Sequence, residues 1–372
     1  MKIEEYGLQK LTDPLLDWFS QHARKLPWRA DASPYRVWVS EIMLQQTRVE
    51  AVKPFFEKFI NELPNVGALA ECKEEKLLKL WEGLGYYNRV RNMQIAAKQV
   101  MEEYHGVIPD DYEELLKLKG IGHYTAGAIV SIAYGKPHPA VDGNVLRVLS
   151  RAAGDERDIM KPSVRSNMER QLEKIMPNGR AGAYNQALME LGATVCLPNG
   201  EPKCKECPWQ EVCIAGKEGK TNLLPVKTRQ AKRRIQKRTV FMIRDGEKVI
   251  LRRRPGTGLL AGMYEFPNVT GHLNAEEAVS YVKEMHLTPL HVERLADARH
   301  IFSHVEWHMA GYLIRVEELE EENQKLLFAE TADFKDKYPM PSAFGAYMEL
   351  LNVPFGKDRF QKEKSGSGYQ NE

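Results

Sequence analysis

Along residues 1–195 apolar side chains return every three or four positions, the period of helices with one buried face. The stretch from Pro34 to Thr47 is apolar at Val37, Trp38, Ile42 and Met43. Similar patterns predict helices over Val49–Ile60, Glu74–Leu80, Arg89–Tyr104, Tyr124–Ala133, Asn144–Arg151, Val164–Ile175 and Ala183–Leu191. Pro64, Gly83, Gly85, Pro109, Gly120 and Gly122 punctuate them. After residue 237 the period shortens: RTVFMIRDGEKVILRRR reads as two strands around a turn at Asp245–Gly246, and HIFSHVEWHMAGYLIRV adds further strands. A helix is expected over Ala275–Met285. The pattern therefore predicts a multidomain chain: an all-α domain over 1–216, a linker over 217–237, an α+β domain over 238–360, and a polar tail over 361–372 expected to be disordered.

Composition narrows the class. With 372 residues, 43% hydrophobic and 28% charged, the chain is long enough for two ordinary globular domains. It has no uncharged apolar run of 18 residues and no leader-like start, which predicts a cytoplasmic protein with no membrane partner. Net charge is only +2, so the distribution matters more than the total. In KTRQAKRRIQKR, residues 227–238, seven side chains are basic and none is acidic. That run is either a solvated linker or a strap for phosphates, whose counterions it would release.

Of five cysteines, four fall within eighteen residues: Cys196, Cys204, Cys207 and Cys213. In a cytosolic chain this clustering argues for metal over disulfide, and four thiolates suit either a structural zinc or a four-iron, four-sulfur cluster. Cys72 stands alone on a helical pattern and reads as a small buried hydrophobe.

LKGIGHYTAGA, from Leu118, places Gly120 and Gly122 in a turn that feeds a helix, preceded by a helical Asp111–Leu116. The free N–H groups and positive dipole of that helix start suit an anion, although a plain αα-turn has the same form. The apolar run then reaches Val141–Asp142–Gly143–Asn144. Glu41 lies among Val39, Ile42 and Met43; unless it sits on the helix surface, desolvation would raise its pKa and keep it protonated, which suits a general acid.

Taken together, the Gly-Ile-Gly hairpin, the Val-Asp loop and the downstream cysteines resemble the endonuclease III superfamily of DNA glycosylases. Within it LPWR (26–29), PYRVWVSEIMLQQTRV (34–49), GLGYYNRVRN (83–92) and VDGNVLRV (141–148) resemble the adenine DNA glycosylase, or MutY, family over most of residues 20–215. The resemblance implies a helix–hairpin–helix glycosylase core that removes adenine opposite 8-oxoguanine, and also opposite guanine, from duplex DNA as a monomer in the bacterial nucleoid. It gives Glu41 the role of proton donor to adenine N7. Asp142, otherwise a common helix cap, becomes the stabiliser of an oxocarbenium-like sugar, supported by Asn144. Tyr124 stands where bifunctional relatives carry a Schiff-base lysine, so base removal without strand cutting is expected.

The same resemblance assigns Arg24, Trp28 and Arg29 to the adenine pocket. It sets Leu44, Gln45, Gln46, Thr47 and Tyr86 against the opened duplex, and Gly120 and Gly122 against a phosphate. Tyr86 and Tyr87 also suit a core. For the cysteines it implies a structural 4Fe-4S cluster, with one departure: the first gap, LPNGEPK, holds seven residues where six is usual. Two further departures are Lys119, where relatives have proline, and Leu146, where some have lysine.

The second domain resembles the Nudix-like domain of the same family. GMYEFPNVTGHLNAEEAVSYV keeps Glu265 but lacks the acidic helix that holds a divalent ion in Nudix hydrolases, so a binding module is expected. Phe302, Ser303 and His304 would read the 8-oxoguanine; Phe-Ser-His alone favours an ordinary strand turn, and its position in the domain carries the functional reading. Three other functions compete: an endonuclease III-like pyrimidine glycosylase with lyase action, an inert damage-binding protein, and a Nudix nucleotide hydrolase. Tyr124 and the added domain argue against the first, intact Glu41 and Asp142 against the second, and the missing acidic helix against the third.

Overall fold

The computed structural model describes residues 3–228, 232–317 and 326–353. The expected tail and part of the basic run, including Arg229, lie outside them. The chain forms two compact units, Met1–Glu71 with Asn92–Gln230, and Cys72–Arg91 with Ala231–Glu372.

The first unit is helical. It comprises α1 (Ile3–Tyr6), α2 (Thr12–His22), α3 (Pro34–Leu44), α4 (Val49–Glu62) and α5 (Val66–Glu71). After α6 (Glu74–Leu80) of the second unit, α7 (Asn88–Glu103) passes from one unit into the other. The first unit continues with α8 (Tyr112–Lys117), α9 (His123–Ile132), α10 (Gly143–Ala153), α11 (Pro162–Glu173), α12 (Ala181–Thr194) and α13 (Ile214–Lys217). One of its cores joins α2, α10, α11 and α12 through Leu15, Val145, Leu149, Met168, Leu172, Tyr184 and Leu188. Trp209 of the cysteine loop enters that core and donates its indole N–H to the Leu11 carbonyl (2.9 Å).

The second unit is built on a mixed sheet of β1 (Arg234–Asp245), β2 (Lys248–Arg253), β3 (Tyr264–Glu265), β4 (Asn268–Thr270), β5 (Pro289–Ile301), β6 (Val305–Val316) and β7 (Leu327–Glu330). Its order is β3-β2-β1-β6-β5, with β4 on β1, β7 on β2, and β1 parallel to β6. The β1–β2 hairpin pairs Asp245 with Lys248, as the Asp-Gly signal predicts. Both faces of the centre are covered. Val240, Met242 and Trp307 pack with Phe334 and with Phe344 and Tyr347, the latter on α15 (Gly345–Glu349). Phe241, Ile243 and Ile314 pack with Ala278 and Val282 of α14 (Ala275–Glu284). Burial on two sides explains why VFMI is an unbroken apolar run.

Three expectations need correction. The domain expected over 1–216 loses Cys72–Arg91 to the second unit, because Lys79 donates its ammonium to the Phe334 and Tyr338 carbonyls and Glu82 accepts the Met340 N–H (2.7 Å). The linker expected over 217–237 is already strand from Arg234, and α3 ends at Leu44 instead of Thr47. Helix α2 went unmarked in the sequence; its Pro14 sits in the first turn, where a missing N–H costs nothing.

At Gly127 of α9 an added Cβ would lie 2.3 Å from the Pro139 carbonyl oxygen, in the backbone that leads to Asp142. Gly127→Ala is therefore expected to destabilise the helical unit by about 1–3 kcal/mol, read as a lower melting temperature. An unchanged melting temperature would show that α9 and residues 139–142 can separate freely.

Candidate functional site

Glu41 comes from the buried side of α3. It is 5% exposed, and the Tyr124 hydroxyl at the start of α9 donates to its Oε2 (2.5 Å). Burial raises the Glu41 carboxyl to about 7; the Tyr124 hydrogen bond and the charge of Arg29 pull it down, and the charge of Asp142 pushes it up. The surface alternative is thus excluded. The Tyr124 phenol is itself held well above its usual range, by burial first and then by the charges of Glu41 and Asp142. Its one described hydrogen bond to a carboxylate is to Glu41.

Asp142 caps α10 and remains partly open to solvent. One carboxylate oxygen accepts the Val145 N–H (2.8 Å), and the other accepts the Asn144 amide (2.8 Å), as expected of Asn144. Capping and chemistry are compatible, because each bond uses one lone pair and fixes the carboxylate's direction. Arg147 donates to the Asn144 side-chain oxygen (3.0 Å) and to the Cys196 carbonyl (3.0 Å), and so ties this corner to the cysteine loop. Asn185 on α12 anchors the loop before Asp142, bonding the Ala140 N–H (3.1 Å) and the His138 carbonyl (2.8 Å).

Arg24 and Arg29 converge on Glu190 of α12, which is 1% exposed, at 2.5 and 2.8 Å. Burial pushes the Glu190 carboxyl up, but the hydrogen bonds and charges of the two arginines hold it below its usual value. Gln186 takes the Arg29 Nε–H (3.0 Å), and Trp28 is buried edge-on against Phe56. Sequence reasoning missed Glu190, Gln186 and Asn185. The available signal was three polar residues inside the otherwise apolar run AGAYNQALMELGAT.

Leu44, Gln45 and Thr47 are half-buried at the end of α3, while Gln46 is exposed with φ of 58°, rare for a side chain other than glycine. In the hairpin before α9 only Gly120 is required by geometry. Its φ is +82° and a Cβ would meet Asn92 at 2.7 Å, whereas Gly122 is extended and has room for one. The first turn of α9 has no side-chain cap, which leaves its N–H groups open. In the second unit Tyr86 is 48% exposed at φ 49°, whereas Tyr87 is buried.

Cys196, Cys204, Cys207 and Cys213 line one cavity of about 320 Å³ together with Arg151. N–H groups point at the sulfurs: Arg151 at Cys196 (3.3 Å), Trp209 at Cys207 (3.4 Å) and Gly216 at Cys213 (3.4 Å). Burial pushes the Cys207 thiol up to about 12; the Trp209 N–H opposes this, and the charges of its three partner cysteines add to it. Among the described residues no group of three or more His, Cys, Asp or Glu is arranged to hold a metal ion, so the fit rests on this shared cavity. Four thiols around one cavity are a donor set that either a structural zinc or an iron–sulfur cluster can use. The seven-residue gap folds back, with Lys203 N–H on the Val195 carbonyl (2.9 Å).

In the second unit Phe302, Ser303 and His304 form the turn between β5 and β6. The Phe302 N–H bonds the Val305 carbonyl (2.8 Å), and its ring stands edge-on to Trp307 and His300. Arg233 donates to the Phe302 carbonyl (3.1 Å) and the Arg234 N–H to that of His304 (3.2 Å), which leaves Ser303 and His304 exposed at the tip. Glu265 is buried and held by Arg252 and Arg254, so it serves as an ionic strut.

Residues 39–178 match the HhH-GPD superfamily of base excision DNA repair proteins, and residues 239–350 match the NUDIX domain. The chain is 35% identical to the adenine DNA glycosylase of Buchnera aphidicola subsp. Acyrthosiphon pisum over 319 residues, which cover 84% of this chain and 90% of that protein. It is 34% identical to the adenine DNA glycosylase of Rattus norvegicus over 363 residues, covering 82% and 70%. A non-covalent endonuclease III–DNA complex is similar in fold at a TM-score of 0.50 and 25% identity, over 59% of this chain and 98% of that one. No described helix is long and apolar enough to cross a membrane. A helical core of this fold, a Nudix domain later in the sequence and relatives matched along most of their length lead to one assignment: the chain belongs to the adenine DNA glycosylase family and is a DNA glycosylase of base excision repair.

Proposed function

We propose that this enzyme is a monofunctional glycosylase that removes adenine paired with 8-oxoguanine, and less well adenine paired with guanine. The observation that carries the reading is the buried Glu41, raised to about 7 beside Tyr124 and under the influence of Asp142. Adenine is a poor leaving group as an anion. Glu41, protonated at neutral pH, gives its proton to N7 as the N9–C1′ bond breaks and its electron pair moves into the base. Asp142, fixed by Asn144 and the Val145 N–H, stabilises the positive charge growing at C1′. Water then adds to C1′, and its proton restores Glu41. No lysine attacks the sugar, because Tyr124 fills that place and its phenol is held protonated.

The uncapped N–H groups of α9 would receive a backbone phosphate, and Gln46 would probe the space left by the flipped nucleotide; Tyr86, on the second unit, would also face the opened duplex. Leu44, Gln45 and Thr47 carry the loop that presents Gln46. Arg24, Trp28 and Arg29, with Glu190, form the wall against the base. A four-iron, four-sulfur cluster on the four cysteines would supply a structural cross-link of the 196–213 loop. Ser303 at the exposed turn reads the Hoogsteen edge of 8-oxoguanine, where oxidation adds a donor at N7, and His304 supports it.

Single-turnover reactions on A·8-oxoguanine, A·G, A·T and thymine glycol duplexes test this, each split for hot alkali. Product is expected only for mispaired adenine and only after alkali; nicking of thymine glycol without alkali would favour the lyase reading. Glu41→Gln and Asp142→Asn should each slow excision by about 10²–10⁴-fold with duplex binding retained. Since the protonated Glu41 is the active form, the rate should be flat below pH 7 and fall above it. A rate that rises through that range would contradict the assignment. Ser303→Ala should cost about 0.5–1.5 kcal/mol of binding to A·8-oxoguanine and leave A·G binding unchanged.

A further inference from the structure

The sheet of the second unit has one face that is only half covered. On β1 that face carries residues 235, 237, 239, 241 and 243, and on β6 residues 306 to 314 in steps of two, which the register sets side by side. Over Phe241, Ile243, Tyr312 and Ile314 it is packed by α14. The cover ends at Thr239, whose hydroxyl meets the Gly271 carbonyl (2.8 Å) and the Leu273 N–H (2.8 Å). Beyond it His272 reaches the His308 carbonyl (3.0 Å), and two otherwise open rows cross three strands. One is Ile235–Glu306–Ile301 and the other Lys237–His308–Arg299.

These rows adjoin the 302–304 turn, since Ile301 is the last residue of β5 and Arg233 holds the Phe302 carbonyl. Ile235 and Ile301 are 59% and 54% exposed, an uncommon state for two large apolar side chains flanking the same residue. Arg233, Lys237 and Arg299 are also exposed. Glu306 is the one acid in the two rows, and it is occupied by His308 (2.8 Å) and Arg299 (3.4 Å). The net character is basic, with apolar shoulders.

We propose that this uncovered face is a DNA-backbone contact. Arg233, Lys237 and Arg299 lie against phosphates of the strand that presents its base to Ser303, and Ile235 and Ile301 lie against the apolar sugar edges. The inference rests on the reading of that turn as base-facing for the choice of strand only. Two strand spacings place the Lys237 and Arg299 backbones about 10 Å apart, close enough for their long side chains to reach neighbouring phosphates of one DNA strand. A protein partner would use the isoleucines but would leave three cations facing one occupied acid. Part of the basic run thus becomes a shaped surface, carried on strand β1.

The test is the salt dependence of duplex binding by the full-length enzyme, measured by fluorescence anisotropy on A·8-oxoguanine and A·G duplexes. Lys237→Gln/Arg299→Gln should lower the slope of log Kd against log salt by about 2, since each phosphate contact contributes about 0.9. The loss should be the same for both mispairs, with the preference between them kept. Lys283→Gln/Arg315→Gln, which removes two exposed charges elsewhere on this unit, should leave the slope unchanged. An unchanged slope in the first variant overturns the proposal and leaves the face to a protein partner; an equal fall in both variants overturns it in favour of overall charge. Ser303→Ala separates the two readings: if it leaves the mispair preference intact, the 8-oxoguanine reading of the turn fails while the slope still decides whether this face holds DNA.

Discussion

A carboxyl group withdrawn from water is the constraint on which the helical unit turns. Raising Glu41 from 4.5 to about 7 disfavours its ionised form by about 3 kcal/mol. The surroundings sustain that state from several directions. Asp142 supplies a like charge, and α3 and its neighbours supply burial. Arg29, the cation that would undo the effect, is drawn by Glu190 at 2.8 Å. The charge that would neutralise Glu41 is thereby shared with a second buried acid. Glu190 therefore matters to the proposed chemistry even before any contact with a base is considered.

The placement of Asp142 follows the same logic of fixed direction. A helix cap and a reacting carboxylate are alternatives on paper, but here the cap is the means of aiming the group. Asn144 and the Val145 N–H hold its oxygens, Arg147 holds Asn144, and Asn185 holds the loop that delivers it. Asn144 and Val145 sit beside Asp142 in sequence, whereas Asn185 comes from a distant helix.

That difference marks how far the sequence was legible. Helix periodicity located α3, α4, α6, α7 and α9 to α12, and the Asp245–Gly246 signal located the first hairpin, because local pattern and final burial agree there. Residues that each sit inside a local motif, Glu41 in one and Asp142 in another, could be singled out from their apolar settings. What could not be read were long-range bonds between distant segments. Glu190 with Arg24 and Lys79 with Phe334 each join parts of the chain that carry no shared local pattern. The division of the chain failed for the same reason: Cys72–Arg91 is helical by pattern but packs with the sheet unit. The basic run was legible as charge, yet its conversion into strand β1 depends on pairing with β6, 71 positions further on at Arg234↔Val305.

The central claim is that Glu41 keeps its proton up to about pH 7 because burial, with the charge of Asp142, outweighs the Tyr124 hydrogen bond and the charge of Arg29. Its direct test is a carboxyl titration by NMR of protein carrying ¹³C at the glutamate δ position, with Glu41→Gln to assign the signal. The account predicts a midpoint near 7, falling in Asp142→Asn, where the like charge is gone. A midpoint near 4.5 in the wild-type protein would mean that the carboxyl is solvated and ionised at neutral pH, and the assignment of Glu41 as the proton donor would be wrong.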